Sequence, residues 1–134
     1  MQCRSIVPGT DHDGDLIMQY LLLLYASPQS FLKLTPAEQK QGMAAYQAFT
    51  EALKQAGAYV GSNRLRMASD ATTVRIEDGK SRVLDGPFIE SKEELGGYYL
   101  IDVRDLDAAI SWATRCPGAS YGVIDVRPVW RESA

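Results

Sequence analysis

The chain has 134 residues, of which 46% are hydrophobic and 23% are charged. These values are ordinary for one globular domain and argue against a disordered or fibrous protein. Lys and Arg number 14 against 17 Asp and Glu, for a formal net charge of -3, and an acidic chain without a dense basic stretch is a poor candidate for nucleic-acid binding.

Cysteine content and hydropathy narrow the class further. Cys3 and Cys116 are too few for a disulfide framework, and neither has a His or a second Cys at metal-ligand spacing. We therefore expect a reducing compartment, no metal and no organic cofactor. The longest apolar run, 20–26, is shorter than the roughly 18 residues of a membrane span. Residues 1–17 lack the basic start and apolar core of a secretion signal. These features predict a cytoplasmic protein without a membrane partner.

The first 17 residues differ from the rest of the chain. Residues 8–15 are polar, acidic and rich in turn formers, so they offer nothing periodic to bury. Patterned sequence begins directly after Met18. We expect a leader over 1–17, with Met18 as a candidate physiological start, followed by one domain over 18–130 and a short tail over 131–134.

Two helices are predicted between strand-like runs. Thr35, Pro36 and Glu38 form a capping box at the start of the first helix, and Asp105 caps the second helix, which ends before Pro117. The first helix carries one apolar face: Met43, Tyr46, Phe49, Leu53 and Ala56. Strands are predicted over 19–25, 59–65, 72–76, 81–84, 98–103 and 123–129.

This order of elements predicts an α+β fold. Asp78-Gly79 between two strand-like runs indicates a β-hairpin. One strand precedes the first helix, paired strands separate the helices, and one strand follows the second helix. The order is typical of a ferredoxin-like split β-α-β sheet with both helices on one face.

Such a fold leaves the second face of the sheet bare, although its central strands are apolar on both sides. Exposing large aliphatic side chains forgoes about 1.5–3 kcal/mol for each, and exposed patches of this kind mark interfaces. We therefore expect a homodimer in which two sheets pack into a barrel-like core. The predicted interface residues are Leu21, Leu23, Tyr99 and Ile101. The alternative is a monomer whose additional loops cover the second face.

The segment 85–99 carries a family resemblance. It begins Asp85-Gly86-Pro87-Phe88 and ends Gly96-Gly97-Tyr98-Tyr99, and it resembles the signature of bacterial DGPF-domain proteins, a branch of the YCII-related family. The flanking patterns over 20–25, 71–75 and 112–117 agree, so the resemblance covers about residues 18–130. It implies a dimeric α+β barrel. Most members have no assigned reaction.

The resemblance also bears on catalysis and on partners. A His on the first helix, near an Asp, is suspected of catalysis in the wider family, but the corresponding stretch 42–46 has none. The single histidine, His12, lies in the leader. No His-Asp pair carries over, and whether the protein is an enzyme stays open. Because some members are encoded beside extracytoplasmic-function sigma factors, the resemblance also implies an accessory role in signalling.

The same segment supplies the candidate site. Asp85 is the one weak catalytic candidate. The candidate ligand-binding residues are Tyr25, Asp85, Phe88, Glu90, Lys92 and Tyr98. Each has a structural alternative: a shaped loop for residues 85–88, a solvated helical turn for 90–94, and sheet packing for the tyrosines.

Two functional hypotheses follow from these residues. In the first, the protein is a homodimer that binds a small molecule in a cleft beside the sheet. In the second, it is a non-catalytic partner in sigma-factor signalling. Cys116, beside Arg115, is either a mildly activated thiol or a structural cysteine, and burial favours the structural alternative.

Overall fold

The computed structural model describes residues 17–131, so the predictions for the leader and the tail fall almost wholly outside the described residues. The strands are β1 (Met18–Ala26), β2 (Tyr59–Arg64), β3 (Thr72–Glu77), β4 (Lys80–Asp85), β5 (Glu94–Val103) and β6 (Val123–Pro128). The helices are α1 (Gln29–Leu32), α2 (Pro36–Gln55) and α3 (Leu106–Arg115), and short 3₁₀ turns span Ala68–Asp70 and Pro117–Ser120.

Four strands form one antiparallel sheet in the order β2-β5-β1-β6. The helices α2 and α3 follow the first and third of these strands along the chain, which is the ferredoxin-like α+β arrangement that the order of elements predicted. Strands β3 and β4 form a separate two-stranded sheet, the predicted hairpin. Its turn places Asp78 and Gly79 at positive φ, as a two-residue hairpin turn requires.

The core lies between the helices and one face of the sheet. Leu22, Leu53 and Ile101 have no or almost no exposed surface. The ring of Phe49 on α2 meets that of Tyr99 edge to face, with centroids 5.1 Å apart, a favourable aromatic geometry. Cys116, Ala109 and Ala113 complete the cover from the α3 side.

Strand register corrects the predicted interface set. Residues paired across antiparallel strands share a face, and β1 pairs Leu22 with Tyr99 and Tyr20 with Ile101. Tyr99 and Ile101 therefore lie under the helices, on the face opposite Leu21 and Leu23. The sequence shows that β5 is apolar on both faces but does not fix which of its residues lie beneath the helices.

The open face carries Leu21 and Leu23 of β1, paired with Leu100 and Tyr98 of β5. All four are partly exposed. We call these four residues the open-face patch.

Helix α2 begins as its sequence predicts but is only half docked. The Thr35 side chain accepts a hydrogen bond from the Glu38 backbone N–H, and the Glu38 carboxylate accepts one from the Thr35 N–H. Phe49 and Leu53 are buried, whereas Met43, nearer the start of the same apolar face, is 56% exposed. The first half of α2 therefore leaves a space between itself and the sheet.

The start of β5 also differs from the prediction. Glu94 and Leu95 are in the strand, where the sequence suggested the end of a helical turn. The Glu94 carboxylate accepts a hydrogen bond from the Ala68 backbone N–H, 2.9 Å away, and this contact ties β5 to the segment after β2. A Cβ on Gly97 would lie 2.9 Å from the carbonyl oxygen of Asn63, so the missing side chain of this glycine allows the two backbones to approach closely.

Candidate functional site

A groove of about 950 Å³ runs along α2, from Gln39 to Lys54, between this helix and the adjoining end of the sheet. Its size is in the range of small-molecule pockets. Its apolar lining comes from four places in the chain, namely β1, the α1 segment, α2 and the strand ends around the hairpin: Leu24, Phe31, Leu34, Met43, Leu65, Met67 and Leu95.

Tyrosine and threonine hydroxyls form the polar part of the groove. The hydroxyls of Tyr46 and Tyr121 lie 3.1 Å apart, and those of Thr50 and Tyr99 lie 2.7 Å apart. The Thr50 hydroxyl donates to the Tyr46 carbonyl oxygen, so its oxygen accepts the hydrogen bond from Tyr99. One of the two hydroxyl hydrogens of Tyr46 and Tyr121 forms the hydrogen bond between them, and the other is available to a ligand.

Burial sets the protonation of this cluster. It raises the pKa of Tyr46 well above its ordinary value of 10.0, and the hydrogen bond to Tyr121 raises it further. Burial also raises the pKa of Tyr99. Both hydroxyls are therefore protonated at neutral pH and serve as hydrogen-bonding groups, not as bases.

Gly118 closes one end of the groove. A Cβ at this position would lie 2.7 Å from the Tyr46 hydroxyl oxygen, nearer than non-bonded atoms normally approach. Gly118 lines the groove together with Tyr121. Its missing side chain is what allows the Tyr46 ring to lie against the 3₁₀ turn.

Arg64 lies at the opposite side of the groove, at the end of β2. Its guanidinium carbon is 4.7 Å from the ring centroid of Phe31 in α1, within the range of a cation–π contact. The neighbouring Arg66 is held by Asp70 at 3.0 Å. Arg64 therefore joins the β2 wall to α1 and brings a positive charge to the groove.

Two of the predicted ligand-binding residues, Tyr25 and Tyr98, line this groove. Tyr98 pairs with Leu23 on the open face, and its hydroxyl accepts a hydrogen bond from the Asn63 amide at 2.7 Å. It borders the groove from β5, an inner strand of the sheet.

The other four predicted residues, Asp85, Phe88, Glu90 and Lys92, are not part of the groove lining. Asp85 ends β4 opposite Thr72, and Phe88 is 70% exposed. The structure therefore does not bring the six predicted residues together within one copy of the chain.

The turn at Asp85-Gly86 shapes the base of the hairpin. Gly86 has φ +100°, a conformation that favours glycine. Its N–H donates to the Ala71 carbonyl oxygen at 2.7 Å, and the Thr73 hydroxyl donates to the Gly86 carbonyl oxygen at 2.8 Å. These bonds match the shaped-loop interpretation of this motif.

Cys116 lies in the core with 2% of its surface exposed. Burial raises the pKa of its thiol above the ordinary value of 9.0. A raised pKa favours the unreactive thiol at neutral pH, which agrees with the structural interpretation of this cysteine.

The sequence analysis missed the groove residues on α2 and near β6. Met43 and Tyr46 were assigned to the core, and Thr50, Gly118 and Tyr121 were given no role. The sequence contains one indication of the groove, because the apolar face of α2 is longer than a two-layer core of this size requires. The separation between the helix and the sheet, which leaves these additional apolar residues beside a groove, depends on tertiary packing.

Within residues 17–131, no three His, Cys, Asp or Glu side chains come together in a way that would hold a metal ion. No helix in the same part of the chain is long and apolar enough to cross a membrane.

Comparisons with known proteins agree with this fold and these motifs. The model of the YCII-related domain matches residues 18–133. An uncharacterized protein of Rhizobium meliloti (strain 1021) is 34% identical over 114 residues, which cover 84% of this chain and 92% of the relative. The chain belongs to the YCII-related family.

Proposed function

We propose that the protein binds a small, largely apolar molecule in the groove between α2 and the sheet. The observation that carries the proposal is the groove itself, about 950 Å³, with a mainly aliphatic and aromatic lining, several hydroxyls and five charged side chains: Glu51, Lys54, Arg64, Arg66 and Glu94. Such a composition, apolar walls with a few placed polar groups, is typical of ligand sites.

The polar groups indicate how a ligand would be oriented. The hydroxyls of Tyr46 and Tyr121 would hydrogen-bond to a carbonyl or hydroxyl group of the ligand at the Gly118 end. Arg64 would meet a polar or negatively charged group at the other end, since its charge is directed towards an aromatic ring and not towards a carboxylate. The ligand is then an elongated molecule, apolar in the middle and polar at its ends.

A thermal-shift screen with a library of small metabolites tests this proposal. A ligand at about 100 times its dissociation constant adds roughly 2.7 kcal/mol to the free energy of unfolding, a readily measured rise in Tm. Met43→Trp fills the groove from an already exposed position, so we expect it to abolish the shift without unfolding the protein.

The matched control is Ala44→Trp, which places the same indole on the next residue of α2, outside the groove lining. It should keep the shift. Silence across the library, or equal shifts in both variants, contradicts the proposed site. Silence combined with recovery of a regulator from cell extract would support the alternative, a non-catalytic partner in sigma-factor signalling.

We also propose that the protein is a homodimer, joined through the open-face patch. Leu21, Leu23 and Leu100 lie on the side of the sheet that neither α2 nor α3 covers. Burial of these side chains by a second copy would recover the hydrophobic free energy that a monomer forgoes. Two sheets packed in this way form the barrel-like core.

A further inference from the structure

The β3–β4 hairpin has one predominantly aliphatic face. Cross-strand register pairs Val74 with Val83 and Ile76 with Ser81, so the three aliphatic side chains share a face. Val74 is 61% exposed, Val83 63% and Ile76 67%. The opposite face carries Leu84 but is mainly charged, because Arg75 and Arg82 flank Glu77 with nitrogen–oxygen distances of 3.6 Å each.

This hairpin stands apart from the body of the protein. It forms its own two-stranded sheet, and no helix or strand between residues 17 and 131 packs extensively against it. A two-stranded hairpin is marginally stable in water without a third strand or a packed face. A one-sided aliphatic face in such a hairpin indicates a surface that another molecule covers.

We infer that this face packs against a second copy of the chain, so that each copy extends its hairpin as an arm onto its partner. The inference rests on the homodimer proposed above but not on the proposed ligand. A second copy is the occupant that the area of the interface favours.

The open-face patch is too small to hold a stable dimer alone. A stable interface buries about 800 Å² on each partner, of which about 65% is apolar in homodimers, or roughly 500 Å². A large aliphatic side chain has roughly 60–120 Å² to bury. The four partly exposed residues of the patch therefore supply less than about 170 Å².

The hairpin adds to this area. On its aliphatic face Val74, Ile76 and Val83, each 60–70% exposed, add roughly 200 Å² on the same scale, and Ile89 in the loop that follows is 69% exposed. Together the patch and the arm supply roughly 350 Å², close to the apolar share of an interface at the lower end of the stable range, about 600 Å² on each partner. The charged face, with Glu77 between two arginines, then stays in solvent.

Sedimentation equilibrium of the full chain tests this inference. In the variant Val74→Thr/Val83→Thr, both residues stay β-branched, so strand propensity is kept while the apolar contact is lost twice in each copy. We expect the dimer dissociation constant to rise at least about tenfold. Because the hairpin lies outside the core, far-UV circular dichroism should not change.

The matched control is Arg75→Thr/Arg82→Thr, the adjacent cross-strand pair on the opposite face. Its dissociation constant should stay within about threefold of wild type, since surface charge pairs contribute little. If the valine variant dimerises as tightly as wild type, or if both variants are weakened equally, the proposed role of the hairpin is wrong. The homodimer itself is not contradicted by that result. A wild-type chain that sediments as one subunit overturns the dimer as well.

Discussion

Thr50 joins helix α2 to the sheet through a single hydroxyl group. It donates to the Tyr46 carbonyl oxygen one turn back and lies 2.7 Å from the Tyr99 hydroxyl. Thr114 on α3 makes the same bond one turn back, to Ile110, but is exposed. The two threonines therefore differ in burial and in the link to a tyrosine of the sheet.

Thr50→Val should lower the free energy of unfolding by about 1–2 kcal/mol, because it leaves the part-buried Tyr99 hydroxyl without its partner. Thr114→Val should change it by less than about 0.5 kcal/mol. Urea denaturation of both variants measures the difference. Equal losses in the two would mean that the bond to Tyr99 contributes nothing to stability.

Alkaline pH should weaken the fold through the same cluster. The pKa values of Tyr46 and Cys116 are raised in the folded state by burial, so the native protein holds these protons more tightly than the unfolded chain. This stabilisation is fully present below the ordinary pKa values of 9.0 for Cys and 10.0 for Tyr and is lost as pH rises above them.

The variant Tyr46→Phe should therefore lose less stability than wild type between about pH 9 and 11. Urea midpoints across this range give the comparison, with each protein referenced to its own value at neutral pH. Parallel curves for the two proteins would show that Tyr46 does not titrate in this way.

At the scale of single residues, the helix-capping roles were predictable, whereas the face of the sheet on which a side chain lies was not. The capping roles of Thr35 and Asp105 were read directly from the sequence, and their side chains accept from the N–H groups of Glu38 and Ala108. The face to which Tyr99 points depends on strand register. The register is set by the whole sheet, including the bulge between Leu24 and Tyr25.

Helix α2 depends on its cap because its first half has little packing beneath it. Met43 is exposed and the first buried residue of the helix is Phe49, so tertiary contacts hold only the second half. Isolated helical turns are marginal in water. The Thr35 cap is what keeps the wall of the groove in place.

Thr35→Ala should cost about 1 kcal/mol of unfolding free energy, with faster hydrogen exchange at the amides of residues 38–43. The second half of the helix, around Leu53, should keep its protection and serves as the internal control. Uniform acceleration along the whole helix would show that α2 opens as one unit, contrary to the half-docked arrangement.

The elements themselves were largely predictable, with two exceptions near the groove. The strands and both long helices follow from periodicity and end signals, whereas α1 is a single turn over Gln29–Leu32 with no pattern to announce it. The early start of β5 at Glu94 was missed because Ser91 and Glu94 also fit a capping box. The hydrogen bond between Glu94 and Ala68, which is distant in sequence, favours the strand over the helical turn.

At the scale of the whole molecule, the sheet has one covered and one uncovered face. The ferredoxin-like order followed from the sequence because few topologies satisfy this order of elements. The sequence did not predict that the candidate site is divided. Tyr25 and Tyr98 border the groove, whereas Asp85 ends β4 of the hairpin and Phe88 lies in the loop that follows.

Leu21→Thr/Leu23→Thr should weaken the dimer, because it removes two leucines of the open-face patch from each copy while leaving β-branched residues in the strand. Sedimentation equilibrium should show at least about a tenfold rise in the dissociation constant. Ile110→Thr, an exposed aliphatic residue of α3 on the helix side, is the control and should leave it unchanged.

Native mass spectrometry of the wild-type chain, with the strongest compound from the metabolite screen, tests the central claim most directly. It reports subunit number and bound ligand in one spectrum. We expect particles of two chains with up to two ligand molecules, and two chains with no ligand for Met43→Trp. Single chains, or Met43→Trp particles that still carry the compound, would contradict a two-copy protein with one binding groove beside α2 in each copy.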